Sequence, residues 1–80
     1  MARRPSVTEA LATWRRAYRR LERATRARVL ATERADDPSR YVRAVRRERE
    51  ARLAEASAHK RFRTVREAVE ARYRGSPSAR

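Results

Sequence analysis

Cysteine is absent from this 80-residue chain, and glycine and histidine each occur once. The first absence excludes disulfides and thiolate metal sites, and leaves the redox compartment unread. A single glycine, Gly75, excludes a glycine-rich phosphate loop. The lone histidine, His59, has no ligand pattern around it and reads as an ordinary polar helix position. Serines and threonines fall at caps, on the seam or in the tail, with no convergent base. The chain is therefore expected not to be an enzyme, with no cofactor, no metal and no small-molecule substrate. Asparagine and glutamine are missing too. That removes the side chains that read adenine in a groove and leaves arginine to guanine as the main available code.

Long apolar runs are also missing. The segment MARRPSVTEA has basic residues but no apolar core of a leader, and nothing later is long enough to cross a bilayer. A cytoplasmic, soluble protein is expected, with no membrane partner. A cationic helix lying on an anionic membrane would need a broad bulky face, and here the bulky residues are needed for helix pairing.

What the sequence has is charge of one sign. The net charge is +13, and of the 23 basic residues all but Lys60 are arginine. Guanidinium suits bidentate phosphate contact, and a field of this size draws polyanions. Arginine over lysine with abundant alanine also follows from a GC-rich genome.

Placing the charge requires the helices. Ser6-Val7-Thr8-Glu9 fits a capping box with Pro5 just outside it. Val7, Leu11, Trp14, Tyr18, Leu21, Thr25, Val29 and Thr32 then recur at three- and four-residue steps, which is one helix face. Asp36-Asp37-Pro38-Ser39 breaks the pattern and starts a second helix, because proline suits the first helical position after an aspartate cap. The expected organisation is a basic arm at 1–5, a helix at 6–35, a turn at 36–38, a helix at 38–74 and a disordered tail at 75–80. A short turn implies antiparallel neighbours. Val29 is then expected near Val45, Leu21 near Leu53, Tyr18 near Ala56 and Leu11 near Phe62. Ala10, Ala17, Ala24 and Ala31 repeat every seven residues beside the seam, a small-residue strip or simply good helix formers.

The second helix carries two stripes. Tyr41, Val42, Val45, Leu53 and Ala56 form one, expected to face the first helix. Ala51, Ala54, Ala58, Phe62, Val65, Val69 and Tyr73 form another, rotated by over about 90° at ideal helical spacing. A straight partner helix does not bury both. The fold expected is an all-α antiparallel hairpin that dimerises into a four-helix bundle, with Ala58, Phe62, Val65, Val69 and Tyr73 as the oligomer or partner interface. The alternative is a second helix broken near Ala54–His59, giving three helices.

With that seam, Arg15, Arg16, Arg19, Arg20, Arg23 and Arg26 fall on the opposite side of the first helix. Arg40, Arg43, Arg46 and Arg47 are expected opposite the Tyr41–Ala56 stripe. Residues 15–28 hold seven arginines against Glu22, whereas the second helix shows ordinary alternation such as Glu48–Arg52, Arg63–Glu67 and Arg66–Glu70. The excess is regional, and those ten arginines are the expected nucleic-acid contacts, to DNA or structured RNA, through phosphates and with little sequence specificity. Trp14, Tyr18 and Phe62 sit at seam spacing and do not read as a stacking platform.

Glu33, Asp36 and Asp37 cluster at the tip of the expected hairpin. In outline this resembles transcript-cleavage factors of the Gre type, in shape alone and without a matching motif or that family's second domain; capping by Asp37 accounts for the acids. The alternative function is a coiled-coil protein-interaction module: an adaptor, assembly factor or inhibitor, of an acidic partner or of transcription machinery.

Overall fold

Ser6 starts the first helix as its sequence context predicts. Its backbone is extended (φ −73°, ψ 164°) and its Oγ accepts the Glu9 N–H at 3.1 Å, which satisfies one of the amide donors that a helix start leaves open. A computed structural model describes residues 5–34 and 36–74, and in it helix α1 runs Val7–Glu33 and helix α2 runs Pro38–Arg74. The expected helix at 6–35 thus spans 7–33, with Ser6 as cap and Ala35 outside the described residues. Asp37 caps α2: its Oδ1 accepts the Arg40 N–H at 3.1 Å and its carbonyl the Tyr41 N–H at 3.3 Å. Pro38 takes the first helical position, where a missing N–H loses nothing. Arg72 and Arg74 occupy the last turn of α2, where cations oppose the negative end of the helix. The expected arm, apart from Pro5, and the expected tail lie outside the described residues.

α2 continues unbroken through Ala54–His59, so the three-helix alternative does not occur. The two helices form an antiparallel hairpin of all-α architecture. Its Cα extents are 65 × 29 × 14 Å, the shape of a single layer two helices wide.

The seam differs from the one the large side chains suggest. Buried positions are Ala10 and Ala31 on α1, and Ala44, Glu48, Ala51, Ala58 and Phe62 on α2. Trp14 stacks on Phe62, ring centroids 5.3 Å apart, and Arg28 pairs with Glu48. Those two contacts set a register in which Ala17, Ala24 and Ala31 stand across from Ala58, Ala51 and Ala44. Alanine repeats every seven residues on both helices, so the seam winds with the helix pair as in a coiled coil, and small side chains let the axes approach closely.

Two corrections follow. Tyr41, Val42, Leu53 and Ala56, expected to face α1, are exposed, Leu53 at 68%. The stripe assigned to another chain faces α1 instead: Ala58 and Phe62 are buried and Val65 and Val69 half-buried within the hairpin, so they are not a free interface. Tyr73 is exposed because it lies past the start of α1, whose Val7 comes level with Val69. The physical reason is continuity. Alanines at 44, 51 and 58, with Glu48, Glu55 and Phe62 four residues after each, make one unbroken face over three heptads, which the bulkier Tyr41–Leu53 set does not.

Where bulk does enter the seam, it is anchored. Trp14 Nε1 donates to Glu55 Oε2 at 2.7 Å, its ring lies 4.5 Å from the His59 ring, and Arg66 covers Phe62 at 5.7 Å. Burying a phenylalanine contributes about 1.5–3 kcal/mol, so Phe62 outweighs any single alanine of the seam.

Glu48 is the one buried charged residue among those described. Arg28 Nε lies 2.8 Å from its Oε1, a close ionic contact whose N–H points off the line to the oxygen, and Arg52 reaches Oε2 at 3.7 Å. The Arg28 guanidinium first, then the Thr25 hydroxyl and the Arg52 charge, hold the Glu48 carboxyl below the ordinary glutamate range against the opposing effect of desolvation. A carboxyl with a depressed folded-state pKa stabilises the fold above its unfolded value, about 4.3, and that contribution disappears as pH falls through the lower folded value. Glu48→Gln should therefore lower the thermal midpoint at pH 7, with the difference from the parent shrinking below about pH 4. A difference that stayed constant from neutral to acid pH would show that Glu48 acts by shape and not by charge.

Candidate nucleic-acid interface

Because the alanine heptad fixes which side of α1 meets α2, it also fixes which side faces away. At 100° per residue, Arg15, Arg16, Arg19, Arg20, Arg23 and Arg26 fan over about 140° on the side away from the seam, with Arg20 nearest to it. All six are exposed. They divide into two rows: Arg15, Arg19 and Arg26 lean toward one face of the hairpin, and Arg16, Arg20 and Arg23 toward the other. Among the described residues none of the six has a carboxylate within 4 Å; Arg16 donates to the Thr13 hydroxyl at 3.2 Å.

Five carboxylates are engaged elsewhere. Glu48 holds Arg28 and Arg52, Glu55 takes the Trp14 N–H, Glu67 meets Arg63 at 3.9 Å, and Glu70 meets Arg66 at 3.4 Å and Arg74 at 3.8 Å. Asp37 is a helix cap. In the distal half of α2, Glu67 and Glu70 thus pair Arg63, Arg66 and Arg74, while among the described residues no arginine on the outer side of α1 is paired. Glu22 is exposed and sits on the border between the Arg15 row and Tyr18, turned toward the hairpin's face and away from the middle of the fan.

On α2, Arg40, Arg43, Arg46 and Arg47 are exposed as expected, but their placement changes with the seam. The facing side of α2 is rotated by about 130° from the expected stripe at helical spacing. Arg43 and Arg47 therefore flank the seam, on the same side of the layer as Arg16 and Arg20, Arg40 lies near the tip, and only Arg46 points straight away. Arg61 and Arg72 join that side, are exposed, and have no ion pair among the described residues. Sequence reading misses both, because their orientation follows from the alanine register and not from the bulky stripe.

The opposite side of the layer is less basic. Tyr18, Val29 and Tyr41, 52%, 41% and 42% exposed, lie there with Leu21, Thr25, Glu22, Arg26 and Arg52. Tyr18, expected in the core, flanks the seam instead, because Ala17 occupies the facing position.

No three histidine, aspartate or glutamate side chains gather to hold a metal ion among the described residues, and no described helix is long and apolar enough to cross a membrane. The acids at the tip, Glu33, Asp36 and Asp37, are exposed. No protein-family model matches the chain, and neither a curated protein nor a solved structure does.

Proposed function

We propose that the chain binds nucleic acid through arginine-to-phosphate contacts, with low sequence specificity, and that Arg15, Arg16, Arg19, Arg20, Arg23 and Arg26 carry most of the affinity. One observation supports this above the others: six exposed guanidiniums share one helix side, and no described carboxylate pairs with any of them. A helix side that served only to be solvated would gain about 0.2–0.5 kcal/mol from each opposite-charge neighbour one turn away, and would lose similar amounts from like pairs. Arg15–Arg19, Arg16–Arg20 and Arg19–Arg23 are like pairs. Phosphates relieve that repulsion and release counterions as they do so.

A second part of the proposal concerns assembly. The hairpin is a single layer, whereas stable domains pack two, and none of its described large side chains is fully buried. A second copy laid on the Tyr18, Val29 and Tyr41 face would supply the missing layer, giving a four-helix bundle. Glu22 and Arg52 on that face offer opposite charges across a two-fold axis. The Arg16, Arg20 and Arg23 row of α1 would stay outside, and Arg15, Arg19 and Arg26 would lie at the rim of the contact.

Sedimentation of the chain with a labelled 20-base-pair duplex at 50 and 200 mM salt reads both parts. Six phosphate contacts give a slope of log affinity against log salt of about −5, or roughly a thousandfold loss over that range. The protein alone should sediment as two copies. A monomeric, partly unfolded chain that ignores the duplex at 50 mM salt would favour the interaction-module reading, in which another protein covers the apolar face.

A further inference from the structure

We infer that the polyanion is B-form duplex DNA, taken with α1 lying in its major groove and the two arginine rows on opposite strands. This rests on the nucleic-acid reading and names its substrate. Width, depth and direction each favour it.

Width comes first. α1 forms one edge of the hairpin's layer with α2 behind it, so within one copy its outer side is unobstructed along the helix. A helix with its side chains is about 10–12 Å across, matching a major groove about 12 Å wide and exceeding a minor groove of about 6 Å. Depth agrees: α2 stands about 8–10 Å behind α1 and the major groove is about 8.5 Å deep, so the second helix clears the phosphates.

Direction separates this from a helix lying along one strand. A single phosphate rail would call for one row of cations. Here Arg15, Arg19 and Arg26 lean one way and Arg16, Arg20 and Arg23 the other, with Ala12 and Leu30 on the line between them at helical spacing. Arginines reaching outward on both sides of a helix suit the two sugar–phosphate walls of a groove. The rows span about 16 Å, or roughly five base pairs. Beyond them Glu33, Asp36 and Asp37 end the basic segment, so contact stops near Leu30.

Other nucleic acids fit less well. Single strands are held by stacking on aromatic rings, and the six-arginine fan contains none: Trp14 and Phe62 are in the seam and Tyr18 flanks it. The A-form major groove of duplex RNA is deep and narrow, closed to a helix.

Groove-blocked DNA tests the inference. A 20-base-pair duplex carrying glucosylated 5-hydroxymethylcytosine fills its major groove with neutral sugar and leaves phosphate charge and minor groove unchanged. Affinity is measured for this duplex, its unmodified parent, and the same sequence as duplex RNA and as single-stranded DNA. The parent should bind at least tenfold more tightly than each of the other three. Equal binding of parent and glucosylated duplexes, or of DNA and RNA duplexes, or preference for the single strand, would overturn major-groove DNA binding while leaving a nucleic-acid-binding protein. Failure to bind all four at 50 mM salt would remove the functional reading itself.

Discussion

Alanine at Arg16, Arg19 and Arg23 together lowers affinity for a DNA duplex on the order of 100-fold or more near 0.1 M salt, and makes the slope of log affinity against log salt shallower by about 2.7. Each arginine removed leaves one phosphate with its counterions still condensed on it. The same variant should be at least as stable as the parent. These positions face away from the seam, alanine is the better helix former, and the like-charged pairs one turn apart, Arg15–Arg19, Arg16–Arg20 and Arg19–Arg23, disappear. Weaker binding by a protein that melts no earlier cannot be assigned to unfolding. A second triple variant, with alanine at Arg63, Arg66 and Arg74, removes the same three charges from a segment where Glu67 and Glu70 already pair them. It should lose far less affinity, through the long-range field alone. Equal losses from the two variants would mean that net charge, and not this side of α1, drives association.

That comparison is possible because local charge pairing was legible in the sequence: the i,i+4 pairs Arg63–Glu67, Arg66–Glu70 and Glu70–Arg74 form as their spacing implies. So were the helix boundaries. Ser6 and Asp37 accept from amides three residues on, as cap residues do, and such bonds depend only on neighbours in the chain. The outer side of α1 was legible as well, since Trp14 and Leu21 lie on the face that the three- and four-residue steps select. The partner face on α2 was not. Tyr41, Val42 and Leu53 bury more area per residue than alanine, so size alone argues for them, and Glu48 and Glu55 interrupt the true stripe with charge. Both acids become compatible with the seam only through partners on α1, Arg28 with Thr25 for Glu48 and the Trp14 N–H for Glu55. A pairing between helices cannot be read from one helix's composition. The signal that identifies it is the period: alanine every seven residues on α2 matches alanine every seven residues on α1.

Ala51 and Leu53 put that period to the test with opposite substitutions two residues apart. Ala51 is 0% exposed and stands across from Ala24, whereas Leu53 is 68% exposed. Ala51→Leu adds three carbons where two helices approach through methyl groups, and overpacking of this kind costs about 1–3 kcal/mol, occasionally more. With a single layer and few buried large side chains, that is a substantial part of the stability, about 4–12 kcal/mol for a chain of this length. The thermal midpoint should fall by at least ~5 °C, and Trp14 fluorescence should shift as its packing on Phe62 and His59 loosens. Leu53→Ala should change stability by less than about 0.5 kcal/mol, since an exposed side chain gives up little and alanine favours the helix. If the bulky stripe were the true seam the ranking would reverse, because truncating a core leucine costs about 2–5 kcal/mol. Thermal melts of the two variants by far-ultraviolet circular dichroism therefore decide which face of α2 meets α1. They also decide the arginine geometry, because Arg43, Arg47, Arg61 and Arg72 share a side with Arg16 and Arg20 only in the alanine register.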